Sequence, residues 1–125
     1  MIEKTTTSDL DNIVSRLLSV DPYRIVLFGS AASGEQGAES DIDLLVILDS
    51  QVVPRTYGKR MATRIAVRES IREINRRLPI DLVVYTRAEY ELLKKQGASF
   101  LNGIEKSGKT LYEKSSESVA RIGTR

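Results

Sequence analysis

The sequence contains neither cysteine nor histidine. The lack of cysteine excludes disulfides, thiolate zinc sites and cysteine nucleophiles. The lack of histidine excludes serine-histidine-aspartate triads, histidine general bases and most zinc and iron sites. Any chemistry must therefore use carboxylates, hydroxyls, lysine or arginine, together with hard metal ions that prefer oxygen ligands.

Long apolar runs and a large charge excess are also missing. The first residues, MIEKTTTSDLD, contain no apolar segment of signal-peptide length, and no stretch reaches the roughly 20 apolar residues of a membrane span. The 19 basic and 17 acidic residues leave a net charge of only +2, which does not by itself argue for nucleic acid. We expect a soluble, cytoplasmic protein with no membrane partner and no nucleic-acid partner.

The remaining composition is that of a globular domain, with 41% hydrophobic and 29% charged residues in a chain of 125. This length suits a single core. Residues 1–114 are expected to form one domain. Residues 115–125, SSESVARIGTR, have no strong pattern and are expected to form a flexible tail.

Apolar periodicity predicts helices and strands that alternate along the chain. Helices are expected at Ser8–Val20, Gly58–Leu78, Thr86–Gln96 and Ser99–Lys106, and strands at Arg24–Phe28, Asp41–Leu48, Ile80–Tyr85 and Lys109–Glu113. Residues 30–40 are small and polar with two glycines, which predicts a helical turn followed by a loop. The predicted fold class is α/β (α+β), a small sheet with helices packed against it.

Within these elements, spacing and residue type predict which residues face the core and which cap the helices. Ser8, Thr86 and Ser99 are the expected helix caps. The inner side of the long helix is predicted to carry Met61, Ile65, Ile71, Ile74 and Leu78.

Two aspartates stand at the start of the most hydrophobic segment, DIDLLVIL. Because side chains alternate along a strand, Asp41 and Asp43 leave the same face. Two like charges there repel each other and lose hydration, which costs free energy unless a cation lies between them. In the absence of histidine and cysteine, the expected cation is Mg²⁺ or Mn²⁺.

A third aspartate, Asp81, occupies the second position of the strand IDLVVY. If the two strands are neighbours, three carboxylates share one edge, and such a group holds the two divalent ions used in phosphoryl or nucleotidyl transfer. A plainer interpretation is also open, in which each aspartate is a solvated strand end or a turn cap.

Gly29 and Ser30 end one strand and begin the predicted helical turn. A strand that enters a helix through glycine directs backbone N–H groups and the positive helix end towards an anion. Glycine lacks the Cβ that would block close approach, and serine adds a hydroxyl donor. Gly-Ser is a common turn dipeptide, so its position before the acidic pair is what indicates a site for a magnesium triphosphate.

These residues carry a family resemblance. Gly29-Ser30, ten further residues and Asp41-Ile42-Asp43 match the GSx10DxD signature of the minimal nucleotidyltransferases, within the DNA polymerase β-like superfamily. RIVLFGSAASGEQGAESDIDLLVIL resembles that family over its whole length, IDLVVY resembles its later strand with the third carboxylate, and LYE resembles its closing strand. The resemblance covers residues 24–113.

The resemblance implies a mixed sheet with helices and a two-metal transfer of a nucleoside monophosphate from a triphosphate, expected to be ATP, with pyrophosphate as the leaving group. By position, Gly29 and Ser30 would hold the triphosphate. Asp41 and Asp43 would bind both Mg²⁺ ions. Asp81 would complete the second metal site and help to activate the acceptor hydroxyl.

The resemblance also implies a partner protein. Many minimal nucleotidyltransferases are the antitoxin halves of two-gene toxin–antitoxin modules, and they adenylylate (AMPylate) a tyrosine of a small helical HEPN ribonuclease. We therefore expect a HEPN-domain partner as acceptor. Transfer onto a tRNA end or a small molecule is the less favoured alternative, because the longer relatives use an additional helical half to supply the acceptor.

One departure from the family supports a different class of function. Many relatives read GSRARG, whereas Ala31 and Ser33 replace both arginines here. Because each guanidinium–phosphate contact is typically worth ~1.5–3 kcal/mol, the change lowers the expected triphosphate affinity. The rival hypothesis is a binding module of the same fold, weakly active or inactive, that neutralises its partner by contact.

Five arginines recur at every fourth residue of the predicted long helix: Arg60, Arg64, Arg68, Arg72 and Arg76. Glu69 can offset Arg72, and Glu73 can offset Arg76 or Arg77. The plainer interpretation is a solvated helix face. The alternative is that Arg64 and Arg68 bind the triphosphate, in place of the missing arginines, or an acidic partner surface.

Overall fold

The structure is a computed structural model that describes residues 6–29, 32 and 41–114. Its helices are α1 (Thr7–Leu17), α2 (Tyr57–Ser70), α3 (Arg72–Arg77), α4 (Arg87–Lys95) and α5 (Ser99–Ser107), with a 3-10 turn at Leu18–Val20. Its strands are β1 (Pro22–Phe28), β2 (Ile42–Leu48), β3 (Ile80–Thr86) and β4 (Lys109–Glu113). None of the described helices is both long and apolar enough to cross a membrane.

The four described strands form one mixed sheet in the order β3-β2-β1-β4. β1 runs antiparallel to both β2 and β4, whereas β2 and β3 are parallel. Parallel neighbours require a crossover connection, which α2 and α3 provide. The predicted α/β (α+β) class, with a small mixed sheet and helices packed against it, is confirmed.

Helices cover both faces of the sheet, which explains why β2 is apolar at nearly every position. On the first face, Leu44 and Val46 of β2 pack with residues of α1, α2 and α3, among them Ile13, Val67 and Ile74. On the second face, Leu45 and Ile47 of β2 pack with residues of α4 and α5: Tyr90, Leu101 and Ile104.

A polar network also ties α4 and α5 to the second face. Arg24 of β1 donates to Glu105 of α5 at 2.9 Å and to the Tyr90 hydroxyl of α4 at 3.1 Å. Its second terminal nitrogen donates to the Thr110 hydroxyl of β4 at 3.2 Å. The Glu105 carboxylate raises the pKa of Arg24, so the guanidinium stays charged. One side chain thus fixes α5 relative to the sheet.

The predicted long helix Gly58–Leu78 is wrong in one respect, because the helix is broken at Ile71. Ser70 donates its hydroxyl to the Val67 carbonyl at 2.6 Å, and the Ile71 N–H bonds to Arg68 in a tighter turn. Such side-chain bonds compete with regular helix geometry. The predicted inner side is confirmed at Ile71 and Ile74, which are buried, and is wrong at Ile65, which is 50% exposed.

The predicted caps are confirmed in one of three cases. Thr86 caps α4 through a reciprocal pair of bonds with Glu89. The cap of α1 is Thr6 rather than Ser8, with Asp9 as its reciprocal partner. Ser99 does not cap α5, whose preceding residue Ala98 makes no side-chain cap bond.

The final strand Lys109–Glu113 forms as predicted. The predicted helical turn and loop at 30–40, apart from Ala32, and the predicted tail at 115–125 lie outside the described residues.

Candidate active site

The parallel pairing of β2 with β3 places two of the predicted aspartates side by side. Asp43 is the register partner of Asp81, and both are the second residues of their strands. Neighbouring strands lie about 4.8 Å apart, and register partners project from the same face. Both side chains therefore project from the second face, since their neighbours Ile42 and Leu44 belong to the first-face core. Asp41 directly precedes β2 and is exposed.

Gly29 directly follows β1 beside this pair, and its conformation depends on its lack of a side chain. Its φ is +76°, in the left-handed region that favours glycine. A Cβ built on Gly29 would overlap a carboxylate oxygen of Asp43 and lie 3.2 Å from its Cγ. The bare backbone of Gly29 thus makes the room that the Asp43 carboxylate occupies. The predicted close approach of a phosphate to Gly29 stays a prediction. Ser30 lies outside the described residues.

The charges at this edge of the sheet are unbalanced. Burial, and then the negative charges of Asp81 and Asp41, raise the pKa of the Asp43 carboxyl above its usual value. Among the described residues, no lysine or arginine forms an ion pair with any of the three. A cation at this edge would relieve the repulsion.

The carboxylates suit a hard divalent ion whose coordination shell is completed by a bound nucleotide. Within the described part of the chain, no three acidic side chains are gathered closely enough to hold a metal ion by themselves. Mg²⁺ in nucleotide sites usually takes one or two carboxylates, with the remaining positions filled by substrate phosphates and water. The adjacent Asp43 and Asp81, with Asp41 nearby, fit that pattern. The predicted Mg²⁺ or Mn²⁺ site stays a prediction.

An aromatic pair that the sequence analysis did not identify borders the carboxylates. Phe28 is the cross-strand partner of Asp43 in β1. Its ring meets that of Phe100, in the first turn of α5, edge to face with centroids 5.8 Å apart. Phe100 is 48% exposed. The sequence signal was an aromatic residue in the first turn of a helix, but only the packing of α5 on the sheet brings it to this edge.

Arg64 and Arg68 of the predicted arginine row do not lie on the same face as the carboxylates. Arg64 and Arg68 are exposed on α2, which packs against the first face through Val67. Arg64 borders the outer edge of β3, and Arg68 lines a shallow depression with residues of α3. Their predicted contact with the triphosphate stays a prediction.

The ion pairs of the row differ partly from those predicted. Arg72 pairs with Glu69 at 3.3 Å, as expected. Glu73 instead pairs with Arg16 at 3.6 Å. Arg60 reaches the buried Glu89 at 2.7 Å, a long-range partner that helical spacing cannot predict.

Comparison with known proteins identifies the family of the chain. The sequence model of the family described as polymerase beta, nucleotidyltransferase matches residues 9–117. That range contains the three aspartates and the glycine–serine turn. No curated protein matches the chain.

Solved structures share the fold at low sequence identity. A protein from Sulfolobus solfataricus, described as a provisional nucleotidyltransferase, is 19% identical with a TM-score of 0.54, covering 90% of each chain. A toxin–antitoxin structure with AMP-PNP is 21% identical with a TM-score of 0.53, covering 92% of this chain and 85% of that one. A mutant of the toxin–antitoxin MntA-HpeT is 22% identical with a TM-score of 0.51, covering 86% and 74%.

Proposed function

The chain belongs to the polymerase beta nucleotidyltransferase family, and from this we propose that it transfers adenylyl from ATP, with Mg²⁺, to a hydroxyl of a partner protein. The observation that carries the proposal is the in-register pair Asp43 and Asp81 beside Gly29. Two carboxylates and an exposed backbone turn at one sheet edge suit a metal-bound triphosphate.

Each residue of the edge has a defined task in this proposal. Asp41 and Asp43 hold the metal ions, and Asp81 completes the second site. Gly29, with Ser30, holds the triphosphate through backbone N–H groups and a hydroxyl. When bound, the ions neutralise the phosphate charge and stabilise both the attacking and the leaving oxygen.

The proposed reaction is an in-line displacement at the α-phosphorus. The acceptor oxygen forms a bond to this phosphorus while the bond to the bridging oxygen of the β-phosphate breaks, releasing pyrophosphate. Asp81, the outer carboxylate of the pair, accepts the proton of the acceptor hydroxyl. It is suited to this because it is exposed on β3, an edge strand of the sheet, where an acceptor has access.

The proposed acceptor is a tyrosine of a HEPN-domain toxin, so that the chain acts as its antitoxin. Two considerations support this assignment. Among the similar folds are toxin–antitoxin proteins, one of them with AMP-PNP, an ATP analogue. The GSx10DxD motif of this sequence resembles the minimal nucleotidyltransferases of such modules.

The test is transfer of label from α-³²P-ATP to the product of the adjacent gene in the presence of Mg²⁺. We expect labelled partner with the wild-type chain and loss of most of the labelling with Asp41→Asn or Asp43→Asn, since each removes a proposed metal ligand. Asp11→Asn, an exposed aspartate of α1, is the matched control and should label normally. Labelling that survives both ligand substitutions would refute the proposed active site.

The second candidate function is neutralisation by contact without transfer. The observation in its favour is the replacement of the two family arginines by Ala31 and Ser33. In the same experiment this function gives a partner that is inhibited but unlabelled, and inhibition that persists in Asp43→Asn.

A further inference from the structure

The second face carries an exposed aromatic side chain at the end where the carboxylates lie. Six large hydrophobic side chains are exposed among the described residues: Leu18, Val52, Tyr57, Ile65, Leu92 and Phe100. Leu18, Val52 and Tyr57 flank the start of β1 or follow the end of β2, at the opposite end of the sheet. Phe100 contacts Phe28, the register partner of Asp43.

The position of Phe100 relative to Asp43 follows from two contacts. Phe28 and Asp43 are direct cross-strand neighbours, so their Cβ atoms are about 5 Å apart. The rings of Phe28 and Phe100 meet edge to face, with their centroids 5.8 Å apart. This contact engages part of the Phe100 ring and leaves 48% of the residue exposed. An open aromatic surface therefore lies one side chain away from the carboxylate pair.

The surface is held rigidly. Leu101, the next residue of α5, is buried in the second-face core, and Glu105, one turn further, is bonded to Arg24 of β1. An aromatic ring on a fixed helix loses little conformational freedom when a flat ligand covers it. Bases stack on such rings because every base has a π-face.

We propose that Phe100 forms a nucleobase subsite, on which the base of the nucleoside triphosphate stacks while its phosphates lie at Gly29 and the carboxylates. This inference rests on the proposed function, since it needs the triphosphate at that edge. Stacking tolerates every base but is stronger for the larger purine ring. The subsite accordingly favours purine over pyrimidine triphosphates.

The test compares a probe that carries a nucleoside, Mg²⁺·AMP-PNP, with one that carries none, Mg²⁺·tripolyphosphate. Calorimetric titration of Phe100→Ala should show AMP-PNP affinity lowered roughly 5- to 100-fold, the usual effect of losing one base–aromatic stack. Tripolyphosphate affinity should be unchanged. Phe100→Tyr should restore AMP-PNP binding, and Leu92→Ala, on α4, is the matched control for an equally exposed side chain.

The outcomes separate the subsite from the proposed function. Suppose that the wild type binds both probes. If Phe100→Ala then weakens the binding of both probes equally, or weakens the binding of neither, the subsite is refuted and the triphosphate site stands. If the wild type binds neither probe, both proposals fall. Thermal unfolding of each variant shows whether a loss of binding is due to misfolding. If Phe100→Ala misfolds, Phe100→Tyr and Phe100→Leu test the subsite in its place. Only the aromatic variant, Phe100→Tyr, should then bind AMP-PNP like the wild type.

Discussion

At the scale of single residues, Gly29 links the backbone of β1 to the position of a carboxylate. Gly29→Ala should lose about 1–2 kcal/mol of folding free energy from its positive φ, and its methyl group should also displace Asp43. We therefore expect lower stability in urea unfolding together with a loss of Mg²⁺·AMP-PNP binding of 10-fold or more, on the order of 1.4 kcal/mol or above.

Gly97→Ala provides the control for this prediction. Gly97 has nearly the same φ, +72°, but a Cβ there has nothing within 4 Å. It should lose similar stability and bind nucleotide normally. Equal effects of the two substitutions on binding would contradict the assigned contact between Gly29 and Asp43.

Asp81 is expected to lower the folding stability of the metal-free protein, although the protein needs it to bind Mg²⁺·AMP-PNP. A pair of like charges directly opposite each other on neighbouring strands destabilises by roughly 0.2–1 kcal/mol, so Asp81→Asn should raise the metal-free Tm by about 1–5 °C. The same change should remove most of the Tm increase that Mg²⁺·AMP-PNP gives. A metal-free Tm below that of wild type would show that the pair is not strained.

The pH dependence of this effect has a definite sign. Because the pKa of Asp43 is raised in the fold, the folded state holds this proton more tightly than the unfolded chain does. Its contribution to stability is greatest below the ordinary aspartate pKa of about 3.9 and declines as pH rises through the raised value. The gain from Asp81→Asn should therefore be larger at pH 7 than at pH 4. Comparing the two proteins cancels the opposite contribution of Asp49, whose pKa Lys114 and Arg87 lower.

At the scale of elements, helical periodicity across α2 and α3 determines which of their residues reach the core. Ile65 and Ile71 are six residues apart, which is about 240° around a regular helix, so one straight helix cannot bury both. The fold buries Ile71 and leaves Ile65 exposed. Ile71→Ala should lose about 2–5 kcal/mol, the usual loss for a fully buried isoleucine, and Ile65→Ala less than about 1 kcal/mol. Equal losses in urea unfolding would contradict the assigned burial of Ile71.

The elements show how far the sequence can predict this fold. The position of Asp43 in β2 and of Asp81 in β3 follows from short apolar runs bounded by turn residues, so the strands could be predicted within two residues at each end. Ser70 and Ile71 have no residue pattern that marks a helix break, because the break depends on a serine hydroxyl bonding backward to a carbonyl. Ser99 resembles a cap by residue type, yet the chain turns at Ala98.

At the scale of the whole molecule, strand order and helix placement decide which predicted residues meet. The adjacency of Asp43 and Asp81 depends on the crossover through α2 and α3, which makes β2 and β3 neighbours. The sequence does not show which strands are neighbours, so it predicts the adjacency only on the condition that these two are. Phe100 reaches Phe28 because α5 packs on the second face, and local sequence gives no signal of it. Arg64 and Arg68, grouped with the site by charge alone, lie on the helix that covers the other face.

Because the site draws on β1, β2 and β3 together, its ligand should bind the folded chain only and stabilise all three strands at once. At a concentration 100 times its Kd, such a ligand adds about 2.7 kcal/mol to the free energy of unfolding, which corresponds to a Tm increase of roughly 10 °C for a chain of this size.

We expect this increase with Mg²⁺·AMP-PNP and little of it with AMP-PNP in EDTA, since the repulsion among Asp41, Asp43 and the phosphates is then not neutralised. Asp43→Asn should also show little increase, whereas Asp11→Asn should match the wild type. Scanning calorimetry of the four combinations measures the effect. An equal increase in EDTA would mean that the nucleotide binds without the carboxylate edge, through a surface such as the arginines of α2.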